Sequence, residues 1–152
     1  MRTINVLTIF LVFLFTSCTN DSKPEMAQLV KPEKHKDGLF LHVSSGYDNP
    51  HKASIALSLA VKMSESQDVA LFFDIEGVKL LTKDSEDIQM DNFMTCHSAL
   101  DTLLKRNVTI MACPMCMAKA EIKPENLREG IIVAEKEKFF NFTKGRILTL
   151  DY

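Results

Sequence analysis

The sequence contains no tryptophan and only two tyrosines, so its core has to be assembled from Phe, Leu, Ile and Met. Glycine is scarce at five residues, and none of the five belongs to a Walker or dinucleotide-type phosphate loop. That absence excludes the nucleotide-binding frameworks built on such loops. A formal net charge of −2 leaves no basic footprint, which argues against nucleic acid as a partner. The apolar stretch from Val6 to Phe15 is too short to span a bilayer as a helix. What remains is ordinary for a globular domain, with 46% hydrophobic and 25% charged residues.

The first residues have the form of an address. Arg2 supplies a small positive region, Val6 to Phe15 an apolar segment, and Phe15-Thr16-Ser17-Cys18 a run of small or hydroxylated residues before a cysteine. This pattern resembles a bacterial lipobox, with Phe15 at the position usually held by Leu. It implies a signal peptide over 1–17, acylation at Cys18 and anchoring in the cell envelope, with the domain in the periplasm or at the surface. Residues 18–37 are rich in Lys, Glu, Asp and Pro without an apolar period, as expected of a flexible tether. His35, between Lys34 and Lys36, reads as solvated. Residues 38–152 are then a single domain.

From Gly38 onward strand and helix signals alternate, which predicts a mostly parallel sheet covered by helices. Strands are expected over Leu39–Val43, Val69–Phe73, Val108–Ala112, Ile131–Ala134 and Ile147–Leu150. Asn49-Pro50 is a cap followed by proline at the first helical position, and it opens a helix carrying Ala53, Ala56, Leu57, Ala60 and Met63. Further helices are expected over about Asp91–Lys105, Pro114–Ala120 and Lys136–Lys144, the last ending at Gly145. Val78–Leu81 fits either a strand extension or a helical turn.

The most informative feature is Cys113-Pro114-Met115-Cys116 directly behind the strand Val108–Ala112. It delivers two sulfurs to the carboxyl end of the sheet, where α/β proteins keep their chemistry. A cysteine that opens a helix meets free backbone N–H groups and the positive end of the dipole. Both favour the thiolate as nucleophile or metal ligand. The Cys-Pro-X-Cys spacing is the one thioredoxin-like proteins use, although the order of elements here differs from thioredoxin. A packed core cysteine and a fixed structural disulfide are the plainer alternatives.

Several stretches in order resemble the DsrE/DsrF-like family, which includes the TusD-type sulfur relay proteins. They are Ser45-Gly46 and Pro50 ahead of the Ala/Leu helix, Leu71-Phe72-Phe73 with Glu76-Gly77-Val78, Lys105-Arg106-Asn107-Val108 leading to Cys113, and Gly145-Arg146-Ile147-Leu148. The resemblance implies a flavodoxin-like three-layer α/β sandwich with a mostly parallel five-stranded sheet. It also implies assembly as a homo-oligomer, trimer or hexamer, or with related DsrE-like subunits. In relay members a cysteine at the position of Cys113 carries a persulfide between partners. On that basis Cys113 is expected to attack or to carry the persulfide, and Cys116 to resolve it. Cys116, Cys96 and His97 have no counterpart in the relay pattern.

A competing reading gathers Cys96 or His97 with Cys113 and Cys116 into a soft-metal site. Thiolates with imidazole suit zinc, and thiolates with thioethers suit cuprous copper. Met111, Met115 and Met117 interleave with the cysteines, with Met111 expected in the core and Met115 able to offer sulfur. His42 reads as a satisfied polar residue of the first strand, and His51 as a weak pocket candidate. Asp74 and Glu76 follow the second strand and either face the crevice or cap the turn. Glu135 to Lys138 reads as a solvated face. Phe139, Phe140 and Phe142 span more than one helix face, so part of this cluster is expected at a subunit contact.

Overall fold

The computed structural model describes residue 33 and residues 35–152. The signal segment, Cys18 and most of the tether lie outside the described residues. Among the described residues no helix is long and apolar enough to cross a membrane.

Five strands pair in parallel throughout: β1 (Gly38–Val43), β2 (Asp68–Phe73), β3 (Thr109–Ala112), β4 (Ile132–Val133) and β5 (Ile147–Asp151). Their order across the sheet is β4-β3-β2-β1-β5. The chain therefore steps outward from β1 to β4, then returns across the whole sheet to lay β5 on the far side of β1. Right-handed crossovers in opposite directions put their connections on opposite faces. Helix α1 (Pro50–Met63) and helix α2 (Cys96–Lys105) cover one face, and residues 134–146 cross the other.

The helices start where local chemistry allows. The Asn49 side chain accepts from the Lys52 N–H with Pro50 in the first turn, and Thr95 accepts from the Ser98 N–H to open α2. Helix α2 thus begins at Cys96, several residues after the expected start. The apolar stripes of both helices meet Leu39, Leu41, Val43, Leu71, Phe73 and Ile110, all buried. Burial of each such side chain contributes about 1.5–3 kcal/mol. The ambiguous segment resolves as a 3-10 helix over Gly77–Leu81.

The other face differs from expectation. Instead of a helix over Lys136–Lys144 there is one 3-10 helix, Lys136–Phe139, followed by turns. Phe139 packs on Phe40 and Phe72 with ring centroids 5.6 and 5.1 Å away, and Phe142 lies 6.3 Å from Phe40. Tight turns bring residues three apart onto one side, which suits two rings that must both reach the sheet. Phe140 points outward and is exposed.

The exits of β1 and β2 are stitched main chain to main chain. The Asp74 N–H donates to the Val43 carbonyl, and the Glu76 and Gly77 N–H groups both donate to the Ser44 carbonyl. A Cβ on Gly77 would collide with the Val43 carbonyl oxygen, and one on Gly46 with that of Glu76. Gly77→Ala is accordingly expected to destabilise the domain by about 1–3 kcal/mol, the usual range for overpacking. Urea denaturation checks this, and an unchanged midpoint would contradict the close approach.

Candidate functional site

Strand β3 is buried on both faces and is extended by one further ladder bond, from the Cys113 N–H to the Phe73 carbonyl at 2.9 Å. Cys113 therefore sits level with the exit of β2. There it caps helix α3 (Pro114–Lys119), with Pro114 in the first turn and the Met117 N–H bonded to the Cys113 carbonyl at 2.9 Å. Met117 and Met111 are buried, so their sulfurs belong to the core. Met115 is 79% exposed.

Both cysteines of the turn are free thiols, and their side chains are in hydrogen-bond contact. Cys113 is buried and Cys116 partly exposed. A hollow of about 180 Å³ opens beside Cys116, walled by Ile75, Glu76, Lys79, Lys119 and Ala120. Lys79 is committed to Glu76, donating to both carboxylate oxygens at 2.9 and 2.7 Å.

The expected electropositive setting does not reach the sulfur that faces the hollow. Burial first, then the Cys113 thiol and the Asp74 charge, push the Cys116 thiol above its ordinary value, against a lowering hydrogen bond from the Ile75 backbone. Ile75 itself is unusual, a β-branched residue with a φ of 42° and a largely exposed side chain. That conformation costs about 1–2 kcal/mol for an L-residue.

The structure separates the other metal-site candidates from this pair. Cys96 is buried between α1 and α2 beside the Ser54 hydroxyl, and burial raises its thiol to about 11. His97 meets the Ser85 hydroxyl at 3.0 Å through Nε2. Among the described residues no three His, Cys, Asp or Glu side chains converge as a metal site. His51 is exposed, meets the Phe93 ring edge-on at 5.6 Å and does not line the hollow.

A second polar cluster was not apparent from the sequence. His42 Nε2 lies 2.9 Å from Asp74 Oδ2 and 3.2 Å from the Ser44 hydroxyl, while Nδ1 lies 2.9 Å from Asp151 Oδ1. His42 and Asp151 are register partners on β1 and β5, which is why the sequence-distant pair meets. Asp74 is 19% exposed, and its Oδ1 is buried with no hydrogen-bond partner among the described residues. Burial alone would lower the His42 pKa, but the hydrogen bonds to Asp74 and Asp151 outweigh it and the net shift is upward from 6.5. The signal available beforehand was slight: a histidine near the end of one strand and carboxylates at the ends of two others.

The DsrE/DsrF-like family model matches residues 37–144. This chain belongs to the DsrE/DsrF-like family. Its fold is shared with the ychN protein from E. coli, at a TM-score of 0.55 and 17% identity over 76% of this chain and 99% of that one. It is shared also with MTH1491 from Methanobacterium thermoautotrophicum, a protein of unknown function, at a TM-score of 0.50 and 15% identity with the same coverage. No curated protein matches the chain by sequence.

Two outcomes follow from this geometry. A raised histidine pKa contributes stability that is complete below the unfolded value and fades as pH rises through the folded one. His42→Gln should therefore cost more stability in mildly acidic than in alkaline buffer, measured by denaturant titration, and an equal loss in both would contradict the pairing. Ile75→Gly should leave stability unchanged or raise it by up to about 1 kcal/mol, because relief of the positive φ offsets the greater freedom of glycine in the unfolded chain. A clear loss would show that the exposed Ile75 side chain stabilises the turn.

Proposed function

We propose that the domain carries sulfur or disulfide equivalents through Cys113 and Cys116, by thiol–persulfide or thiol–disulfide exchange. The observation that carries this reading is the contact between two free thiols at the exit of a central strand, one of them opening on a hollow. Membership in the DsrE/DsrF-like family points to sulfur-relay or redox-related work, and these are the residues suited to it. The Cys-Pro-Met-Cys spacing supports it physically, since residues three apart on a helical turn are neighbours. The thiolate is the reacting form, so the neutral resting state of Cys116 makes proton removal part of the chemistry.

The direct test treats wild type and the C113S/C116S double variant with a low-molecular-weight persulfide and weighs the intact proteins. Wild type should gain sulfur or form the Cys113–Cys116 disulfide, and the double variant should show neither. Equal sulfur uptake by the double variant would refute the reading. Exchange should also keep accelerating as pH rises past the ordinary thiol value of 9.0, because the Cys116 thiol is held above it. A rate that levels off below 9.0 would contradict that setting.

Two wider features belong to the same proposal. The N-terminal pattern ending at Cys18 supports a lipid-anchored protein of a bacterial envelope. Loss of fatty-acid labelling in Cys18→Ala is expected, and unchanged labelling would count against it. Exposed Phe140 and the exposed apolar residues Ile147 and Leu148 of edge strand β5 support self-association. A purely monomeric sedimentation profile at high concentration would argue otherwise.

A further inference from the structure

The two sulfurs of the Cys-Pro-Met-Cys turn are not equivalent. Cys113 is 7% exposed, its N–H completes the ladder to Phe73, and it packs within the main hydrophobic core. Cys116 is partly exposed and lines the hollow. A small molecule arriving from solvent through that hollow meets the Cys116 sulfur first.

A second arrangement points to the same atom. The Ile75 backbone forms a hydrogen bond to the Cys116 sulfur of the kind that favours its anion. Ile75 holds a positive φ that a β-branched residue adopts only where its surroundings impose it. Those surroundings are identifiable, because Asp74 on one side and Glu76 and Gly77 on the other are bonded to the carbonyls of Val43 and Ser44. The donor aimed at Cys116 is thus held from both directions by main-chain bonds.

Building on the sulfur-exchange reading above, we infer that Cys116 is the entry thiol of the pair and Cys113 the resolving thiol, the reverse of the order expected from the sequence. In the first step Cys116 Sγ attacks the outer sulfur of a small persulfide, R–S–SH. The donor S–S bond breaks, a bond forms from Cys116 Sγ to the sulfane sulfur, and the leaving R–S⁻ takes up the Cys116 proton as R–SH. In the second step Cys113 Sγ attacks Cys116 Sγ. The Cys116–sulfane bond breaks, the Cys113–Cys116 disulfide forms, and the sulfane sulfur leaves as hydrogen sulfide with the Cys113 proton. The two thiols together lose two electrons and the sulfane sulfur gains them, so the donor persulfide is the only co-reactant. The side-chain contact between the thiols is the path for the second step.

Single variants and a native-state measurement test the order. In C113S, Cys116 should accumulate the persulfide, because nothing resolves it. In C116S the adduct should be lost, because Cys113 is shielded. Limited alkylation of folded wild type, followed by peptide mass mapping, should label Cys116 ahead of Cys113 and Cys96, a readout independent of how the variants fold. An adduct retained on Cys113 in C116S, or Cys113 labelled first in wild type, overturns the assignment. No adduct or disulfide in any protein, wild type included, overturns the sulfur-exchange reading and this step with it. That result is distinct from a reversed order.

Discussion

The candidate site depends on how closely the exits of β1 and β2 approach one another. Side-chain-free positions at Gly46 and Gly77 let two stretches of main chain touch, each glycine facing a carbonyl of the opposite segment. Three backbone hydrogen bonds then close the gap. At about 0.5–1.5 kcal/mol each, they offset the 1–2 kcal/mol or so that Ile75 costs in its left-handed conformation. The turn is held in place by this balance. It sends Asp74 toward His42 and the Ile75 backbone toward Cys116, so one constraint shapes both polar features.

The two titratable groups served by this turn are both shifted upward, by different balances of burial and neighbouring charge. At His42, burial opposes the charged ring, but the hydrogen bonds and charges of Asp74 and Asp151 outweigh it and raise the pKa. At Cys116, burial also opposes charge, and a single backbone donor is not enough against a neighbouring thiol and the Asp74 carboxylate. Lysine does not reverse the result, since Lys79 is already paired with Glu76. The six-residue α3 likewise does not bring the Cys116 thiol below its ordinary value. The thiol facing the hollow rests neutral, and its reactivity is tied to where its proton goes.

Much of the fold was legible in the pattern of residues. The apolar run Leu39–Val43, the Asn49-Pro50 start and the apolar run before Cys113 marked their elements within a residue or two. The segment after β4 was misleading because Phe139, Phe140 and Phe142 mimic a helical cluster. Two of those rings are instead drawn to Phe40 and Phe72, on a sheet face that no long helix among the described residues covers. Helix α2 starts late because Asn92 takes a left-handed φ of 66°, which a helix cannot include, and the Thr95 side chain then caps the first turn at the Ser98 N–H. The first departure is a tertiary demand overriding local propensity, and the second is local backbone and capping chemistry.

By itself the sequence determined the parallel α/β class, the place of the sulfur pair behind a buried strand and the family to which the chain belongs. The first two follow from periodicity and motif spacing and the third from resemblance to known family members, all of them read from the order of residues along the chain. Only the tertiary structure decided which sulfur is shielded, which faces solvent, and that His42 meets carboxylates from two other strand ends. Those outcomes rest on register between strands and on the approach of two loops, contacts between residues far apart in sequence that no local pattern encodes.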